Sequence, residues 1–546
     1  MLLDVNWCAA MSVLGSIFSV LYGAVLYLRR QEVLKSIDHL HGLHVILDPF
    51  SLFGQLVQIF PLVIHITVPN MYFWEHKYTT YRKFGWDIYA QTFLLPAKKV
   101  VYQIVDADAI KEMIHDKATF PKKEFFLLAL YGPNVVTSGD EEAKRHRRIV
   151  APSFSDRNNK LVWQETARIV EEMFVHWGQK ETISVKHVVD ITLPLALHVI
   201  SAAGFGLPIS WQSETESGVR DDVPSGHMMS YREAIETVCK NLYVKLLAPS
   251  WVLGLTKNWR HARLAFDELE LYMTEMIESR RAEGDTLRVD EKGELYKSDV
   301  FSNLLAASDA EVTSGKGALS ERELKGNIFI FLVAGHETTA HVLAFALGLL
   351  ACYPDEQQKL YNHIKSVLVE DRLPVYEEMN TLTRPLAVFY EASRLYPPAN
   401  SFGKFCVRDT TLAVHGADEN EQRKPILIAK DSYIMIDAVG LHHNPRYWKD
   451  PEEFNPDRFM NGDWNRDALL TFSAGMRACL GRRFAETEAV AALTMIILRY
   501  KVELNPEFFK VIPGEAPRAT RERLLKVKQA LTLAPANLPL IFRKRE

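Results

Sequence analysis

The chain has 546 residues, 48% of them hydrophobic and 24% charged, an ordinary globular composition with enough length to bury a large core. A formal net charge of -4 gives no reason to expect a nucleic-acid partner. The five cysteines are scattered and odd in number, which argues against a disulfide framework, and no CxxC or HExxH pair signals zinc.

Residues 5–28 carry no charge and end at Arg29-Arg30, which predicts a helix long enough to cross a bilayer. Asp4 precedes the stretch without any Lys or Arg, which argues against a cleaved signal peptide. Arg29, Arg30 and Lys35 place the chain that follows in the cytosol. A second apolar stretch, 52–68, is interrupted by Gln55, Gln58, Pro61 and His65. It is expected to lie at the interface or on protein, with a second span left open.

Globular patterning starts near His76. Helices are expected over 78–84 and 107–115, with a strand over 99–105 between them. Residues 125–131 are too apolar for a solvated loop, so they either pack into the core or line an apolar cavity. Asp140-Glu141-Glu142 followed by the basic run 144–148 is good helix electrostatics. Further helices are predicted over 161–177, over 185–203 with a kink at Pro194, over 231–247 and over 260–281. Residues 206–227, 283–297 and 308–319 read as polar loops, and 249–255 as an apolar turn.

Ser320-x-x-Glu323 is a capping box that opens a long helix running to about Cys352, where Pro354 stops it. It is apolar nearly all round and so buried. Its middle nevertheless reads Ala334-Gly335-His336-Glu337-Thr338-Thr339, and polar groups inside a buried helix need a reason. One reason is local: Thr338 bonding back to the carbonyl four residues earlier. Residues 376–395 form another helix, 426–428 and 433–436 read as a hairpin-like pair, and 502–504 and 531–542 are strand-like.

Near the C-terminus, residues 472–481 form a loop leading into a helix predicted over 484–500. Cys479 at the helix start faces unsatisfied N–H groups and the positive end of the dipole, both of which favour a thiolate. Gly475 and Gly481 let a flat group approach the backbone. Arg477 can neutralise a carboxylate beside the sulfur, and Phe472 can cover it. Together these residues describe a seat for haem iron.

The pattern Phe472-x-x-Gly475-x-Arg477-x-Cys479-x-Gly481 resembles the haem-binding signature of the cytochrome P450 family. Ala334-Gly335-x-Glu337-Thr338 resembles that family's oxygen-activation motif. Glu391-x-x-Arg394 with Arg458 resembles its buried charged triad. The resemblance covers about residue 76 to the C-terminus. It implies a mainly α fold with small β-sheets and haem b held by an axial cysteine thiolate from Cys479. The implied division is a membrane anchor over 1–30, a linker with a membrane-associated apolar segment over 31–75, and a haem-thiolate catalytic domain over 76–546. It also implies a groove for dioxygen at Gly335 and proton delivery by Glu337 and Thr338. Arg147 and Lys404 fall at propionate-contacting positions, whereas Ala143 stands where the family has a Trp. The implied reaction inserts one atom of O2 into a lipophilic molecule of terpenoid, sterol or fatty type. Electrons come from NADPH through cytochrome P450 reductase at the endoplasmic reticulum membrane. The look is microsomal and fungal, in secondary metabolism. A haem sensor or carrier, or a peroxide-rearranging isomerase, is the alternative, and neither needs Glu337 and Thr338.

Overall fold

The computed structural model describes residues 7–545 except 50, 58–65, 70, 96–99, 123–127, 208, 210, 212–222, 243–255, 283–287, 290–294, 297–298, 315–316, 369–371 and 419–421. The chain divides into two compact units. One comprises Met1–Lys122, Ala399–Glu452 and Asn465–Leu470, and the other Lys123–Pro398, Glu453–Trp464 and Thr471–Glu546. Residues 76–546, expected as a single domain, are therefore shared between both.

The first unit begins with an unbroken helix, Trp7–Ser36. It outruns the expected anchor. Side chains from Ser12 to Leu28 are mostly exposed, while Val33 and Ile37 are buried in the unit. The segment 31–75 is not a plain linker. Gly42–Leu47 is a strand lying parallel to Ile88–Leu95 at the edge of a five-stranded sheet. Val100–Ile104, Tyr433–Asp437 and Ser401–Phe405 complete that sheet. The expected hairpin of 426–428 with 433–436 is corrected here. Lys424–Ile428 pairs antiparallel with Thr410–Val414 instead. Tyr433–Asp437 lies parallel to Val100–Ile104 and antiparallel to Ser401–Phe405. The turn between them forms as a turn, with Asp431 at φ 62°, but its backbone ties to Cys406 on both sides. Both runs, Ile426-Leu427-Ile428 and Tyr433-Ile434-Met435-Ile436, are continuously apolar, so nothing local chooses their partners.

The second unit is mostly helical and is built around Glu321–Cys352, a 32-residue helix. Ser320 and Glu323 form the expected reciprocal cap. Apolar residues on every face then bury it against Val189–Val199 and Thr383–Leu395. Pro354 does end it, and opens a helix of its own, Pro354–Val367. Pro194 lies inside Val189–Val199, and a π-type turn follows at Ile200–Gly204. The polar loop expected over 308–319 is helical as far as Ser314, as part of Val300–Ser314. Its low apolar periodicity hid a helix whose first half carries the packing, through Val300, Phe301, Leu304 and Leu305. Arg482–Arg499 packs on Asp156–Trp177. Tyr500–Leu504, Leu540–Lys544 and Thr182–Val185 form a small antiparallel sheet. The apolar turn read at 249–255 lies outside the described residues.

Candidate active site

The loop before Arg482–Arg499 is shaped by two residues in the left-handed region, Ser473 at φ 56° and Gly475 at φ 63°. Glycine takes that conformation without steric cost. A short 3-10 turn, Gly475–Arg477, follows, and the Cys479 N–H donates to the Phe472 carbonyl at 2.8 Å. Gly481 is the N-cap, so the helix starts two residues earlier than the sequence suggests. Cys479 thus lies just outside the first turn, with the Gly481 N–H directed at its sulfur.

The expectation that this setting lowers the thiol pKa needs correcting. Burial raises it, against the Gly481 N–H and the positive charges of Arg147 and Arg482, which pull it down. The residue is nonetheless exposed by surface area. A sulfur surrounded by protein yet accessible marks the wall of a cleft. Gly481 adds open space there, since a Cβ would meet only a Phe154 ring carbon at 3.9 Å. Arg147 donates to the Ala478 carbonyl at 2.7 Å, which sets a cation beside the sulfur.

Arg477 donates to Asp140 Oδ1 at 3.0 and 3.3 Å and to the carbonyls of Ser138 and Val135 at 3.0 and 3.2 Å. The carboxylate it meets is therefore Asp140. Phe472 is half-buried, with the Arg482 guanidinium 5.6 Å above its ring. Arg482 is anchored in turn by Glu486 at 2.7 Å and by the Tyr390 hydroxyl at 2.7 Å. Lys404 belongs to the first unit, in strand register with Ile434.

In the middle of the buried helix, Ala334 is exposed and Thr338 half-exposed. The Thr338 hydroxyl donates to the Ala334 carbonyl at 2.9 Å, the local satisfaction anticipated above. Gly335 lies close to its neighbour, since a Cβ would come within 3.1 Å of the Ile200 side chain. Glu337 turns toward the C-terminal chain, where Thr532 donates to Oε1 from its hydroxyl at 3.1 Å and its N–H at 3.3 Å. Burial raises the Glu337 pKa, and these two bonds oppose the rise. His336 Nδ1 bonds the Leu332 carbonyl at 2.6 Å.

Glu391 and Arg394 are fully buried and doubly bonded, at 2.7 and 2.8 Å. Arg458 adds 3.3 Å and the Asn455 N–H 2.9 Å to the same carboxylate. Sequence reasoning missed Thr532, His341 and Arg482. His341 carried a signal, lying four residues after Glu337 and so on the same helix face.

An accessible sulfur under a backbone N–H, a glycine with free space beside it, a neighbouring cation and an accessible band on a buried helix fit a planar haem with a thiolate ligand. The comparisons agree. The profile of the family described as Cytochrome P450 matches residues 14–518. Cytochrome P450 monooxygenase 124 of Postia placenta is 42% identical over 519 residues, covering 93% of this chain and 95% of its own. Cytochrome P450 monooxygenase prx9 of Penicillium rubens is 30% identical, covering 79% and 78%. The crystal structure of the cytochrome P450DA heme domain superposes with a TM-score of 0.69 at 21% identity, over 92% of this chain and 99% of that one. With the family profile matched over residues 14–518 and a 42% identical relative covered over 95% of its length, the chain belongs to the cytochrome P450 family of haem-thiolate monooxygenases.

Proposed function

We propose that this enzyme oxidises a lipophilic small molecule in secondary metabolism while anchored in the endoplasmic reticulum membrane. Electrons reach it from NADPH through cytochrome P450 reductase. The observation that carries the reading is the accessible Cys479 sulfur, held by the Gly481 N–H beside Arg147. In this proposal Cys479 would supply the thiolate ligand to haem iron and Phe472, Gly475, Arg477, Gly481 and Arg147 would contact the haem, while the assignment of Lys404 rests on the sequence resemblance alone. When bound, haem activates dioxygen, and an axial thiolate pushes electron density toward iron to favour O–O cleavage.

The chain's own part is to bind, orient and supply protons. Ala334 presents an exposed apolar side chain at the middle of the buried helix, and the Thr338 hydroxyl is turned back on the helix. A surface of that kind offers a ligand apolar contact and few hydrogen bonds, which favours a greasy substrate. Residues 128–130 are half-buried, in keeping with an apolar wall, and 123–127 lie outside the described residues. The anchor reading rests on the helix Ser12–Ser36, with mean hydropathy 1.5, and on Arg29, Arg30 and Lys35 at its end. The named relatives in Postia and Penicillium support a fungal setting.

The deciding experiment is the spectrum of the reduced carbon-monoxide complex. The thiolate-type band is expected in the wild type and absent from Cys479→Ser. A band that survives the substitution sinks the ligand assignment. NADPH-dependent O2 consumption with reductase then separates a monooxygenase from a haem carrier or an isomerase, neither of which uses an external electron donor.

A further inference from the structure

Thr532 Oγ1 lies 3.1 Å from Glu337 Oε1 and 2.7 Å from His341 Nδ1. All three side chains are buried, at 6%, 7% and 5% exposure. The Thr532 N–H holds the same carboxylate oxygen and fixes the spacing. Thr338 takes no part, since its hydroxyl is directed at Ala334. We propose that His341, Thr532 and Glu337 form a proton wire that reloads Glu337 from the side of the helix away from Thr338. This inference rests on the monooxygenase reading and deepens it.

The chemistry follows from the hydroxyl having one proton. While Thr532 donates to the Glu337 carboxylate, His341 must donate from Nδ1. If Glu337 is protonated, its O–H can donate to Thr532, whose own O–H then turns to a bare Nδ1. The wire has two complete hydrogen-bond directions. A proton taken from water at His341 Nε2 converts one into the other. The Nδ1–H bond breaks, its proton joins Thr532, the original Thr532 proton passes to Glu337, and the ring stays neutral. One proton enters and one rests on Glu337.

The surroundings suit this direction. Burial, then the charges of His336, Lys528 and His187, push the His341 pKa down to about 4. Burial raises that of Glu337, whose field also reaches Cys239. A ring that holds a charge poorly, next to an acid whose proton affinity burial raises, passes protons on and does not store them.

The test uses the haem-loaded protein in the ferric resting state. The infrared carboxyl band of protonated Glu337 is assigned by its loss in Glu337→Gln and followed between about pH 4 and 8. Its hydrogen–deuterium exchange is expected to slow in Thr532→Val and in His341→Gln, and to return in Thr532→Ser. In turnover, product formed per NADPH consumed should fall about tenfold in Thr532→Val, short of the hundredfold or more that a positioned proton donor supplies. Unchanged band, exchange and coupling in Thr532→Val, or no recovery in Thr532→Ser, overturns the wire. Lack of NADPH-dependent oxygen use in the wild type would instead overturn the monooxygenase reading and leave the infrared result to judge the wire by itself.

Discussion

Glu337 and Thr338 are adjacent in the chain and have different partners, one on the C-terminal loop and one on its own helix. Their roles should therefore separate on mutation. Thr338→Ala is expected to retain the haem spectrum while the product formed per NADPH falls by about a hundredfold, and Thr338→Ser to recover most of it. Parallel product and NADPH assays read this directly. A second residue-scale prediction concerns Glu488, whose two oxygens are buried and have no hydrogen-bond partner among the described residues. Burial raises its pKa, so the acid is neutral in the fold and ionised when unfolded. The pH-dependent part of its cost is therefore absent below the unfolded pKa and grows as pH rises above it. Glu488→Leu should raise the unfolding midpoint by ~2 °C or more at neutral pH and leave it nearly unchanged under acid conditions. Thermal melts at the two pH values decide it. The cysteine loop could be read from spacing because five fixed residue types span ten positions. Thr532 could not, because nothing in its neighbourhood announces a partner 195 positions away.

At the level of elements, the Glu391–Arg394–Arg458 cluster joins the Thr383–Leu395 helix to the 3-10 turn Pro456–Phe459. Glu391→Ala leaves the buried Arg394 and the partly buried Arg458 without their carboxylate and should cost about 3–5 kcal/mol. Low haem occupancy and a lowered melting point on expression would show it. His227 ties the chain before the helix Tyr231–Lys240 to Lys257–Ala282. It bonds Glu268 at 2.7 Å and Glu275 at 2.9 Å and stacks on Tyr272 at 3.7 Å. Burial lowers its pKa, but the Glu275 and Glu268 bonds outweigh that, so the net shift is upward. The stabilisation is then full below the unfolded pKa and is lost as pH rises through the higher folded value. The stability gap between wild type and His227→Gln should narrow on going from mildly acidic to alkaline buffer. Hydrogen exchange of residues 227–235 reports it. Helices with a strong period or a clear cap were read well, down to the limits of Ala107–His115. The strand partners were not, because a continuous apolar run marks a buried strand and says nothing about which strand lies alongside.

At the scale of the molecule, the sequence order of three motifs was enough to identify the architecture, while the division into two units was not visible. The first unit takes strands from two distant stretches, 42–104 and 401–437, and no composition change marks where they leave the second. The N-terminal helix was recognisable from its apolar length, but its end was not. Arg29-Arg30 looks like a boundary, yet the helix continues to Ser36 and buries Val33, and Ile37 just beyond it is buried as well. Removing residues 1–28 should release the protein from membranes with its spectrum intact. Removing 1–40 strips three buried side chains, Val33, Ile37 and Leu40, and should cost about 2–4 kcal/mol or more. Sedimentation with vesicles and thermal melts separate the two truncations.

That uninterrupted helix has a mechanical consequence. A flexible tether would let the body swivel freely above the lipid, but a rod whose last turns are cemented into the sheet-bearing unit transmits tilt without slack. On the proposed anchoring, the inclination of Trp7–Ser36 in the bilayer would dictate the posture of that unit, and a pair of glycines spliced in after Arg30 would uncouple them while leaving the attachment itself in place.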